Sequence, residues 1–156
     1  MSETMLSVAD VCEISGLTPK AINWLIAAGA VTPHVDGRPR QGKHRQYSLL
    51  QTLGLTVVAR LRQQSLQGCN VKGATAILQA FENIDADWLE ERFEKNETHL
   101  VTIRQNRPLM REKAGDRVDV RACWRHVQDQ MRAISERLAT EHITGRARGL
   151  ALAAKD

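Results

Sequence analysis

The run Ser15-Gly16-Leu17-Thr18-Pro19 constrains this chain more than any other segment. Glycine suits the left-handed residue that ends a helix, threonine is a helix-opening cap, and proline is tolerated at the first helical position. One helix must therefore stop and another start within three residues. Upstream, Ser7 precedes Val8, Val11, Cys12 and Ile14 at helical spacing, with Asp10 and Glu13 on the other face, which predicts a short helix ending before Gly16. Downstream, a second helix runs from the Thr18 cap to a stop at Gly29. Two short helices over a tight turn predict a helix-turn-helix, whose second helix presents its outer face to the DNA major groove. With Ile22, Leu25 and Ile26 turned to the core, Thr18, Lys20, Ala21, Asn23 and Trp24 lie on or near that outer face. Lys20 suits a phosphate or a guanine edge, and Asn23 suits adenine. Thr18 opens a helix start whose N–H groups attract phosphate.

After Val31 the pattern breaks. Residues 34–45 hold Arg38, Arg40, Lys43 and Arg45 with His34 and His44, among glycines and prolines, against the single acid Asp36. Too broken for a helix, the stretch 32–47 predicts a basic β-hairpin with a flexible tip, placed to follow a sugar-phosphate backbone or enter a minor groove. The net charge of the whole chain is +4 over 156 residues, yet residues 31–81 alone carry seven Lys/Arg against that one acid. A cationic patch beside near-neutral flanks is the one-dimensional footprint of a phosphate-binding surface.

These residues carry a resemblance. Leu6-Ser7-Val8-Ala9-Asp10-Val11, the Ser15-to-Ile22 run, Gly29 and Arg45-Gln46-Tyr47-Ser48 before an apolar-periodic helix together resemble the MerR-type winged helix-turn-helix domain. Related heads occur in phage excisionases and terminase small subunits. The similarity covers roughly residues 5–80. It implies that the second helix reads the major groove, that Arg45 contacts the backbone, and that Tyr47 packs or hydrogen-bonds beside it. Where the family commonly continues Arg-Tyr-Tyr, this chain has Asn23-Trp24-Leu25, and Leu50 stands near the place of a common acid. MerR regulators pass directly into a long dimerisation helix and an effector site often built from cysteines, neither of which follows in that form here.

The remaining pattern is mainly helical. A helix from Ser48 to about Gln64 carries Leu49, Leu53, Val57 and Leu61 on one stripe; a loop over 65–71, a short helix over 72–81 and an acidic helix around Trp88, Leu89 and Phe93 follow. Over 98–116, a helix would continue the apolar stripe, but Val101-Thr102-Ile103 and Gln105-Asn106 favour a small hairpin returning through Leu109-Met110-Arg111. Residues 116–119 open a last helix in which Val120, Trp124, Val127, Met131, Ile134 and Leu138 recur at spacings of four and three. That stripe is either a dimer seam or the face of a helix packed on residues 86–110.

The expected organisation is thus a DNA-binding head over 1–81, a helical association region over 82–143 and a flexible basic tail over 144–156. Cys12, Cys69 and Cys123 lie far apart with no CxxC or CxxH, which argues against a disulfide framework or a zinc site; Cys69 is the alternative candidate for a sensing thiol. No stretch nears the ~18 apolar residues of a membrane span, and the start lacks a secretory pattern, so a cytoplasmic protein is expected. Scattered histidines, no Gly-rich phosphate loop and acids without convergent partners leave an enzyme without a site. The chain is expected to be a sequence-specific binder of double-stranded DNA, a dimeric MerR-like regulator without cofactor or metal and with an unknown effector. The alternatives are a phage or mobile-element factor and a protein-interaction module.

Overall fold

The computed structural model describes residues 5–33, 45–64, 71–95, 100–104, 107–111 and 118–155. The expected tip of the basic segment, with Arg38, Arg40, Lys43 and His44, and the greater part of the expected loop at 65–71, with Cys69, lie outside the described residues. The fold is mainly helical, with a small antiparallel strand pair formed by the N-terminus.

Strand β1 (Met5–Ser7) leads into α1 (Val8–Ser15). Ser7 caps α1 by accepting from the Asp10 amide, and Gly16 ends it at φ 80, donating its N–H to the Cys12 carbonyl at 2.9 Å. That left-handed conformation penalises any side chain with a Cβ. Helix α2 (Pro19–Ala27) is capped by Thr18, whose Oγ1 accepts from the Ala21 amide at 3.1 Å. Both helices fall where their cap residues predict.

Strand β2 (Gln46–Ser48) pairs with β1 in the register Leu6 to Tyr47, and both of these side chains are buried. The closing strand of the expected hairpin thus pairs with the N-terminus; residues 31–33 form no strand, and residues 34–44, which hold the rest of that hairpin, lie outside the described residues. Leu6 and Tyr47 bring two apolar side chains to one face, and antiparallel pairing across that face is what buries both.

Helix α3 (Leu49–Gln64) is the central element, against which α1, α4 (Val71–Glu82) and α6 (Val120–Lys155) all pack. The expected stripe of Leu53, Val57 and Leu61 is buried, and so are Leu55, Val58 and Ala59 on other faces. Thr52 and Thr56 are buried as well, and each hydroxyl donates to the carbonyl four residues back, at 2.9 and 2.8 Å. Those bonds satisfy hydroxyls that burial would otherwise penalise. Gly54 marks the closest approach to α4, since a Cβ there would meet Leu78 at 3.1 Å and Phe81 at 3.4 Å.

Helix α5 (Ala86–Glu94), capped by Asp85, buries Leu89 and Phe93, while Arg92 covers the half-exposed Trp88 ring. The expected second hairpin is present as β3 (Leu100–Arg104) and β4 (Arg107–Arg111), with Thr102 opposite Leu109. A short strand, β5 (Val118–Asp119), adds to the other edge of β3 and was not foreseen. Asp119 then caps α6 by accepting from the Ala122 amide.

The apolar stripe of α6 requires a correction. Val120, Trp124, Val127 and Ile134 are buried within this one chain, Met131 packs against the same cluster, and Leu138 alone is exposed, at 56%. The covering elements are α1 and α3, with α5 contributing Glu90, whose Oε1 accepts from Trp124 Nε1 at 2.6 Å and from Gln128 Nε2 at 2.7 Å. Side chains already shielded by their own chain have no apolar surface left to offer a dimer seam. One core cluster runs from Leu6 to Ile134, crossing the division expected at 81/82. The helix continues to Lys155, past the expected end near 143. Arg137 on α6 also pairs with Glu13 on α1 at 3.2 Å, a half-exposed contact of little energetic weight.

Burial pushes the Cys123 thiol from 9.0 up to about 11, with Arg60 pulling it down and Asp119 adding to the rise, and raises Cys12 for the same chief reason. Since the thiolate is the reactive form, iodoacetamide at pH 8 should modify Cys12 well before Cys123, as read by peptide mass. Cys123 alkylating as fast as an unfolded control would contradict its burial. The neutral thiol is the form favoured in the fold, so its contribution to stability is whole below pH 9 and is lost as pH rises toward 11.

Candidate nucleic-acid interface

The exposed face of α2 follows from its packing. Ile22 and Leu25 are buried and Ile26 partly so, which turns Thr18, Lys20, Asn23 and Trp24 to solvent, as the helical spacing predicts. Trp24 is 49% exposed, an unusual position for so large an apolar ring. Ala21, expected near the outer side, is partly buried.

Arg45 joins this face. It is half-buried, and its Nη1 donates to Asn23 Oδ1 at 3.2 Å, so the last cation of the basic segment is tied to the second helix. The same bond occupies one of the two groups an asparagine uses on adenine, so any base contact at Asn23 would have to share that oxygen. Tyr47 does not join the face. It is fully buried opposite Leu6, which makes it a core residue that holds β2 in place and not a direct contact. Of the ten expected contact residues, the structure brings five to one surface, buries Tyr47, and leaves four outside the described residues.

Two residues at this site escaped the sequence reading. The first is Gln51. Its Oε1 accepts from the Ser48 amide at 3.0 Å while its own amide donates to Ser48 Oγ at 3.2 Å, a reciprocal cap that starts α3. Its Nε2 also donates to the Thr32 carbonyl at 2.6 Å and to Glu82 Oε1 at 3.1 Å. One buried side chain therefore ties both ends of the basic segment to α3 and α4. The Ser48-x-x-Gln51 spacing was the available signal. Gln51→Glu should keep the cap, lose the donation to Thr32 and set a second carboxylate beside Glu82. We expect a loss of about 1–3 kcal/mol at pH 7, partly recovered near pH 4, where a carboxyl protonates. Urea titrations of variant and wild type at both pH values measure it; equal deficits at both would exclude the repulsion.

The second is Arg62, near the end of α3. It and Ala59 face the Gly16–Thr18 turn and Ala21 across a groove of about 330 Å³, which continues past Lys20 and Trp24. No local pattern marks this arginine, because only the packing of α3 behind α2 brings it there.

Among the described residues no helix is long and apolar enough to cross a membrane, and no cluster of three or more His, Cys, Asp or Glu is placed to hold a metal ion. No family model matches this chain, and no curated protein does.

Proposed function

We propose that this protein binds double-stranded DNA sequence-specifically through a MerR-like winged helix-turn-helix head and acts as a transcriptional regulator. One observation carries the reading: Thr18, Lys20, Asn23 and Trp24 share the outward face of α2, and Arg45, the last residue of the basic segment, is bonded to Asn23 on that face. In this reading Lys20 and Asn23 contact base edges, Thr18 opens the helix toward a phosphate, and Arg38, Arg40, Lys43, His44 and Arg45 follow the backbone as a wing. Association as a dimer would have to use surface other than the buried part of the α6 stripe.

Selection of duplexes from a random pool, with the footprint measured on the selected site, tests the reading. An enriched motif is expected. A footprint of two half-sites about one helical turn apart marks a dimer, and a single short one marks a monomer. Lys20→Ala should then cost about 1–3 kcal/mol on the selected site and little on random DNA. Asn23→Ala should weaken both, because it also releases Arg45. A pool that emerges unenriched, from a folded protein, removes sequence-specific binding.

A further inference from the structure

The groove between α2 and α3 carries two side chains, Trp24 and Arg62, that edge-on reading of a duplex does not use. Beyond the turn it is lined by Thr18, Lys20, Ala21, Trp24 and Arg62 around about 320 Å³. Lys20 and Trp24 stand one helical turn apart on α2, so their side chains are neighbours, and Arg62 faces them from α3. Among the described residues neither cation pairs with a carboxylate and no acid lines the groove. The volume is at the low end for small-ligand sites, enough for one ring system and its phosphate.

We propose that this groove takes a single nucleotide unstacked from a DNA strand, its base against the Trp24 indole and its phosphate at Arg62 on the facing wall. The inference rests on the DNA-binding reading. A base inside an intact duplex has both faces covered by its neighbours and offers only its edges. An indole face gains its stacking partner when a base leaves the stack, and such stacking tolerates any base because each has a π-face. An exposed aromatic ring with a guanidinium facing it across the groove is the pattern that complements this ligand.

The full-length chain is titrated with three fluorescent DNAs: an intact duplex, the same duplex with a one-nucleotide bulge, and a short oligothymidine. The bulged duplex should bind on the order of tenfold more tightly than the intact one. Trp24→Ala should abolish that preference, Trp24→Phe should keep most of it, and Arg62→Gln should weaken the bulged complex more than the intact one, with circular dichroism confirming the fold of each variant. Equal affinity of wild type for bulged and intact duplexes overturns the inference and leaves the DNA-binding reading standing. Equal losses on both duplexes in Trp24→Ala also overturn it, since the ring would then touch paired DNA. A wild type that binds none of the three defeats the reading beneath it as well.

Discussion

Trp124→Ala should cost about 3–5 kcal/mol of folding stability and should do so for the whole molecule at once. The indole is 3% exposed at the meeting of α6, α3 and α5, so its removal leaves a large cavity and takes one donor from Glu90. Because one apolar cluster contains Leu6, Ile22, Leu53, Phe81 and Val127 alike, the head has no core separate from α6. Urea unfolding followed by far-ultraviolet circular dichroism and by tryptophan emission should give one shared transition, shifted to lower urea in the variant. Ile134→Glu, which buries a charge in the same stripe, should act in the same direction. A stable head that survives either substitution, or a variant that merely changes from dimer to folded monomer, would return the stripe to the role of a seam.

If the proposed DNA binding holds, replacing Arg38, Arg40, Lys43 and Arg45 together by alanine should flatten its salt dependence. If each contacts one phosphate, the log–log slope should fall by roughly 0.9 apiece, about 3.6 in all. Affinity should drop on every duplex, selected or random, because phosphate contacts carry no sequence information. Arg45 contributes in two ways, since it also holds Asn23, so Arg45→Ala alone should lower selectivity as well as slope. Fluorescence anisotropy between 50 and 200 mM salt measures both. An unchanged slope in the quadruple variant would remove the basic segment from the interface.

Much of this fold was legible from short-range chemistry. Ser7, Gly16, Thr18 and Pro19 each act on backbone groups within four residues, so the bounds of α1 and α2 could be read without knowing what surrounds them. The outward face of α2 followed from the spacing of Ile22 and Leu25. The hairpin of β3 and β4 was readable from its β-branched run. The strand β5 was not, because two residues carry too little pattern to distinguish a strand from the start of a helix.

Apolar periodicity states which side chains leave water, and it is silent on what covers them. The stripe from Val120 to Ile134 fits a partner chain or a neighbouring helix equally well; the packing of α1 and α3 against it makes it core. Tyr47 went the same way, since the strand facing it lies some forty residues away and an Arg-x-Tyr pattern beside a cationic run does not say that Leu6 will cover the ring. Gln51 and Arg62 complete the contrast. The first could have been read as half of a capping box, but its bonds to Thr32 and Glu82 exist only because α2, α3 and α4 converge there. The second lines a groove whose two walls are distant in the chain. Caps, turns and the polarity of a helix face are decided over a few residues, whereas pairing and covering are decided by which distant surfaces meet, because burial rewards any apolar neighbour without specifying one.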